Sequence, residues 1–337
     1  MEDEGKFLRI GIIGASRFGV NQISRLKNEQ NLNIDFVVLD KNLNNPKEII
    51  NEIPSAEFLS CEKEFFKSAT NGIILADYVD LQLKKYQPSF KKATSFFCNA
   101  NFLSQLEGLE HFLQIAKSKN ILVCFNLPFR FTRGFLELND IVRKGKLGKI
   151  HQIDLTYYKN QSDEGTASCK NHTNFFGGFM DTGVHLLDIA LKSLNYPEIK
   201  YLTAIPYKRG KKIEKQNPFC EDYLLLTCIT ANGTLINLRC SRNLPRTRKR
   251  TIEADYHGEK GDLRLRNHDK SEHDLIVEEY KNEYLSIVSS PPDVFVDAAI
   301  KEWIWSLRAE KGYDKKIAKE MLALAGVVHQ IYNQPSP

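Results

Sequence analysis

An aspartate and a histidine four residues apart, Asp181 and His185, stand in the stretch Gly177 to Asp188, GGFMDTGVHLLD. Met180, Val184, Leu187 and Ala190 or Leu191 recur at helical spacing after a pair of glycines, so the segment reads as a permissive loop entering an amphipathic helix. Residues four apart on a helix are neighbours. The spacing therefore predicts that the Asp181 carboxylate holds one ring nitrogen of His185 and raises the basicity of the other. Such a pair suits general acid/base work on an alcohol or a carbonyl.

What it would act with is signalled near the amino terminus. A short apolar strand, Leu8 to Ile13, runs into Gly14, Ala15, Ser16, Arg17, Phe18 and Gly19, followed by a helical stripe of Val20, Ile23 and Leu26. This is strand, glycine turn, helix, with G-x-S-x-x-G in place of the G-x-G-x-x-G dinucleotide fingerprint. The helix amino terminus offers free N–H groups and a positive dipole end to a pyrophosphate. A second apolar strand, Ile34 to Leu39, ends in Asp40, about 20 residues on, where an acid binds ribose hydroxyls. An acid there favours NAD over NADP, a preference that Lys41 softens.

The elements between and after these motifs give the frame. Strand patterns at Gly72 to Ala76, Ser95 to Cys98 and Ile121 to Phe125 alternate with helical ones, including a helix with Ser104 and Glu107 as a capping box and Leu106, Leu109, Leu113 and Ala116 as its buried stripe. A helix is also expected from Pro46. Alternation of this kind predicts an α/β fold with a doubly wound parallel sheet over residues 1–125. Beyond it, after a helix around Phe135, Leu138 and Val142, strands are predicted at Ile150 to Tyr158, Lys200 to Ile205, Tyr223 to Thr230, Thr234 to Cys240 and Thr251 to Tyr256. Asn232-Gly233 is a hairpin signal. Residues 126–337 should thus form a second α/β domain with an open, largely antiparallel sheet and two terminal helices, near Val294 to Leu307 and Lys316 to Tyr332.

Composition narrows the classes. Apolar residues make up 42% and charged residues 26% of 337 residues, as in a soluble globular protein of two domains. No apolar run is long enough to span a bilayer, and the start is acidic rather than a leader, so a cytoplasmic location and no membrane partner are expected. Seven scattered cysteines lack C-x-x-C spacing, which argues against a disulfide framework and a metal site. A net charge of +5 without aromatic interleaving argues against nucleic acid.

Taken together, IGIIGASRFG, the strand ending in Asp40, the KGKLGKI segment and GGFMDTGVHLLD resemble the glucose-fructose oxidoreductase / inositol dehydrogenase / rhizopine-catabolism (Gfo/Idh/MocA) family along nearly the whole chain. The resemblance implies a Rossmann domain, a nicotinamide cofactor, sugars, polyols or sugar nucleotides as substrates, a homo-oligomer formed through the second sheet, and Asp181 and His185 at the substrate site. Two departures stand out. The family's E-K-P is here Cys98, Asn99, Ala100, Asn101, which puts Ala100 at the lysine position; its T-P-N-type loop is Ala76, Asp77, Tyr78. Ala76 and Asn99 are then the cofactor-side residues, with Tyr78 or Asn99 as polar stand-ins. The implied activity is an NAD(P)-dependent oxidoreductase; a catalytically lapsed dinucleotide sensor or scaffold is the alternative. The basic stretch Arg242, Arg246, Arg248, Lys249, Arg250 reads either as solvated charge or as a grip on a phosphate or carboxylate.

Overall fold

The computed structural model describes residues 7–14, 33–39, 56–68, 70–76, 95–159, 177–213, 221–242, 250–269 and 271–333. The expected helix from Pro46 lies outside them. Six α-helices occur among the described residues: α1 (Glu62–Lys67), α2 (Leu106–Ser118), α3 (Arg133–Arg143), α4 (Val184–Ser193), α5 (Ala298–Arg308) and α6 (Lys315–Asn333). The chain divides into two compact units, Met1–Asn126 with Ala299–Leu322, and Leu127–Ala298 with Ala323–Pro337.

In the first unit, β1 (Leu8–Ile13), β2 (Ile34–Leu39), β3 (Glu57–Leu59), β4 (Gly72–Leu75), β5 (Ser95–Cys98) and β6 (Val123–Phe125) form a parallel sheet in the order β3-β2-β1-β4-β5-β6. Neighbouring residues such as Ile73 and Ile74, or Phe96 and Phe97, are both buried, as a sheet covered on two faces requires. Helix α2 buries Leu109, Phe112, Leu113 and Ala116. Its expected capping box is absent. Ser104 ends a 3-10 turn, Ala100–Ser104, and its hydroxyl donates to Asn101 O at 2.7 Å, which leaves Gln105 at the helix start without a side-chain cap. Helix α5 brings Trp303 into this unit. The Trp303 indole N–H donates to Ser95 Oγ at 2.9 Å and its ring lies 5.5 Å from Phe97. A Cβ on Gly72 would stand 2.5 Å from that ring, so the close approach requires glycine.

The second unit holds nine strands: β7 (Ile150–Lys159), β8 (Ile199–Lys208), β9 (Lys211–Lys212), β10 (Tyr223–Thr230), β11 (Leu235–Ser241), β12 (Arg250–Gly258), β13 (Gly261–His268), β14 (Ser271–Lys281) and β15 (Tyr284–Ser289). Their order is β15-β14-β13-β12-β7-β11-β10-β8-β9, with β7 and β11 parallel and the other pairs antiparallel. Gly233, at φ +85°, turns the β10–β11 hairpin. One face buries Ile153, Leu155, Leu226, Leu238, Ile252 and Tyr256, and α4 packs against β7 and α3.

On the opposite face the row Thr227, Asn237, Asp154, Asp255, Arg264, Glu278 is polar across six strands. Its members pair with one another and with neighbours: Asn237 donates to Asp154 at 3.0 Å, Arg264 forms an ion pair with Asp255 at 2.9 Å, and Arg266 meets Glu278 at 2.8 Å. Exposed apolar side chains lie toward the flanks, Tyr201 and Ile229 on one side and Tyr284, Leu285 and Ile287 on the other.

Candidate active site

In the first unit the order of strands reverses between β1 and β4, and the crevice beyond their carboxyl ends is where doubly wound sheets take ligands. The backbone brings three expected residues together there. Gly14 N–H donates to Leu39 O at 3.2 Å, Ala76 N–H to Ile13 O at 3.0 Å, and Asn99 N–H to Leu75 O at 3.2 Å; the Asn99 side-chain amide reaches Ala76 O at 3.4 Å. Gly14 sits at φ +96°, a conformation that strains any residue with a Cβ. A glycine at the mouth of the switch point fits a dinucleotide phosphate. Ser16, Arg17, Phe18, Gly19, Asp40, Lys41, Asp77 and Tyr78 lie outside the described residues. Ala100 is 1% exposed, so a buried methyl occupies the position expected for a lysine.

In the second unit Asp181 and His185 lie on one helical segment, but not as the spacing predicts. The segment opens with a π-helical turn, Phe179–Gly183, in which the Val184 N–H reaches back to Phe179 O, before α4 begins. The wider turn takes Asp181 off the i, i+4 alignment with His185. His185 Nδ1 is buried with no hydrogen-bond partner among the described residues, so Asp181 acts on the ring through space and not as a held partner. Burial pushes the His185 pKa down to about 4, against the opposing pull of Asp181 and Asp188 and with the help of Lys159. The imidazole is therefore neutral at physiological pH.

Of the glycine pair expected in a permissive turn, Gly178 is helical (φ −58°), and so is Gly183 (φ −63°) further on. They serve close approach. A Cβ on Gly177 would fall 1.8 Å from the Glu221 carboxyl, and one on Gly183 would fall 2.7 Å from Phe179 and 2.8 Å from Cys240 Sγ.

Two buried carboxylates that sequence reasoning passed over brace this helix. Asp188, fully buried, takes both Arg130 Nε, at 2.9 Å, and Arg130 Nη2, and accepts from the Tyr196 hydroxyl. Glu221, also fully buried, accepts from the Phe179 N–H at 3.1 Å and from the Tyr332 hydroxyl at 3.2 Å, and its backbone carbonyl takes the Gly178 N–H at 2.7 Å. Burial raises its pKa to about 7. An arginine within the apolar run PFRF, and an aspartate on the buried side of α4, were the available signals for the first brace. One aromatic ring meets His185 edge-on: Phe129 lies 6.3 Å from the imidazole, and itself packs 6.0 Å from Tyr157 and 4.6 Å from Phe295.

No curated protein matches the chain in sequence. The GFO/IDH/MocA C-terminal domain model matches residues 135–264. Among solved structures, an oxidoreductase from Agrobacterium radiobacter, in complex with NAD+, L-tartaric acid and magnesium, is 17% identical over 97% of this chain and 96% of its own, with a TM-score of 0.74. The apo scyllo-inositol dehydrogenase from Lactobacillus casei is 18% identical, with coverages of 97% and 96% and a TM-score of 0.73. A variant of a 3-ketoreductase from Actinomadura kijaniata, in complex with TDP-benzene and NADP, is 12% identical, with coverages of 98% and 98% and a TM-score of 0.74. At such identities the likeness is one of fold. Residues 135–264 thus match the carboxy-terminal domain of the Gfo/Idh/MocA family in sequence, and the chain shares the fold of these oxidoreductases along nearly its whole length.

Proposed function

We propose that the protein is an NAD(P)-linked oxidoreductase acting on a sugar, polyol or sugar nucleotide, in which His185 exchanges the proton of the reacting hydroxyl. The observation that carries this reading is a neutral, half-buried imidazole with an enclosed ring nitrogen on a π-turn helix beside Asp181. Such turns concentrate at functional sites. Bound nicotinamide supplies the hydride acceptor or donor. Gly14, Ala76 and Asn99, with Ser16, Arg17, Phe18, Gly19 and Asp40, would hold the dinucleotide, and Asp40 favours NAD; the relatives above were solved with NAD+ and with NADP. Asp181 raises the proton affinity of His185 without bonding to it, so its share is electrostatic.

Replacing His185 with Ala should abolish turnover while leaving NAD affinity nearly intact; Asp181→Asn should cost less. Nicotinamide absorbance against a panel of sugars, polyols and sugar nucleotides, with calorimetric titration of NAD and NADP, reads both. Ala100 favours a second reading, a lapsed dinucleotide sensor or scaffold, since a buried methyl cannot donate a proton. NAD binding without any turnover dependent on His185 would select it.

Cys61, Cys98, Cys228 and Cys240, which form no disulfide, suit a reducing cytoplasm. Among the described residues no helix is long and apolar enough to cross a membrane. Self-association would use the apolar flanks of the second sheet around its polar middle, and light scattering at micromolar concentration should then exceed the monomer mass.

A further inference from the structure

Tyr157 stands near the carboxyl end of β7, and the sheet register fixes which way it faces. It pairs with Cys240 on β11 and with Ile252 on β12, and all three side chains are buried. Cys240 marks what that row meets. Its Sγ lies 2.8 Å from where a Cβ on Gly183 would stand, so the row abuts the π-turn that carries Asp181.

The ring contacts agree with the register. Phe129 lies 6.0 Å from Tyr157 and 6.3 Å from His185, so the phenol and the imidazole flank one ring. Both also answer to one carboxylate. Burial holds the Tyr157 pKa above its ordinary value, with Arg250 drawing it down and Asp181 pushing it up; burial lowers that of His185, with the same Asp181 opposing. Asp181 is exposed, His185 half-buried and Tyr157 only 6% exposed, so the phenol is the most enclosed of the three groups.

An oxygen that passes between hydroxyl and carbonyl makes a demand that His185 does not meet alone. With its pKa pushed down to about 4 the imidazole is a weak base, and as it draws the proton away the oxygen gathers negative charge. A second donor aimed at that oxygen from an enclosed wall stabilises the charge as it develops. Tyr157 has the chemistry for this. Burial and Asp181 keep the proton on the phenol, which therefore remains a neutral donor at physiological pH.

We propose that the Tyr157 hydroxyl donates a hydrogen bond to the substrate oxygen whose proton His185 exchanges. No bond to Tyr157 forms or breaks: His185 carries the proton, and the phenol keeps its own. The assignment rests on the oxidoreductase reading for its reaction and on the sheet register for its place.

The test takes the full chain with NAD and NADP against sorbitol, myo-inositol, glucose 6-phosphate and UDP-glucose, following nicotinamide absorbance in steady state and in single turnover. For a probe turned over in a His185-dependent way, Tyr157→Phe, which keeps the ring against Phe129, should lower kcat about 100- to 1000-fold. KM should stay within about threefold, because a bond to developing charge is made only in the transition state. Tyr256→Phe removes a hydroxyl from an equally buried ring on β12 and should leave kcat within about threefold, which separates the loss of this donor from the loss of any buried hydroxyl. Thermal melting checks both variants. Should Tyr157→Phe melt below the assay temperature, Tyr157→3-fluorotyrosine keeps the hydroxyl, donates more strongly and should raise the single-turnover rate at least about twofold. Tyr157→Phe with kcat within about threefold of the unsubstituted chain, a loss that appears in KM instead, or an unchanged rate with fluorotyrosine overturns this proposal alone. If the unsubstituted chain turns over none of the probes, the oxidoreductase reading falls and this proposal with it.

Discussion

The two carboxylates that brace the His185 helix, Asp188 and Glu221, are equally buried and differently paired. Asp188 faces a guanidinium that fills both its oxygens, with Tyr196 added. Glu221 has neutral donors on one oxygen only, while its Oε2 lies buried with no partner among the described residues. The first is a fixed ion pair and the second a group poised to hold a proton. The difference shows that burial alone does not decide whether a carboxyl stays charged; a charge-matched partner within hydrogen-bond distance does.

Removing one partner of the fixed pair should be the costliest change. Asp188→Ala strands Arg130 in a buried site, and denaturant unfolding should report a loss of about 3–5 kcal/mol. A loss below about 1 kcal/mol would mean that water reaches the guanidinium and that the two braces are alike after all.

Glu221 should instead reveal itself through pH. Its folded value of about 7 lies above the ordinary 4.5, so the folded protein binds the proton more tightly than the unfolded chain. Stability contributed by this group is then complete below pH 4.5 and declines, by roughly 3 kcal/mol, as pH rises to 7. Unfolding curves for Glu221→Gln should lose that slope. His185 works in the opposite sense: its folded value of about 4 lies below 6.5, so its contribution is present above pH 6.5 and fades as pH falls toward 4. An unchanged slope in Glu221→Gln would assign the window to other groups.

Gly177→Ala sharpens the contrast by steric means. Its Cβ would meet the Glu221 carboxyl, which must move or break its bond to Phe179, at a cost of roughly 1–3 kcal/mol. The same substitution should also shift the pH window, whereas Asp188 variants should not. At the small end, Lys200→Ala removes an exposed pair with Glu198, 2.8 Å apart, and should change stability by less than about 0.5 kcal/mol.

Much of the frame was legible because it rests on local periodicity. Strands β1, β2 and β5 and the β10–β11 hairpin are apolar runs bounded by turn residues, and such patterns survive into the fold because burial rewards them directly. Strands β13 and β14 escaped notice because Arg264, Arg266 and Glu278 mask the alternation, and their charges are satisfied only by partners on neighbouring strands. Helix α5 was assigned with the second domain from its place in the chain; Trp303 instead seats it with the first unit, against Ser95 and Phe97.

The sequence by itself determined that a glycine turn follows β1 and that Asp181 and His185 share one helical segment, since both follow from residues close in the chain. Only the tertiary structure decided what those residues meet. The π-turn that moves Asp181 off the ring nitrogen, the burial that keeps His185 neutral, the Glu221 carboxyl that excludes a side chain at Gly177 and the alignment of Tyr157 with Cys240 each depend on chain segments far apart in sequence. Charge state, close approach and strand register are properties of neighbours in space, and no spacing along the chain encodes them.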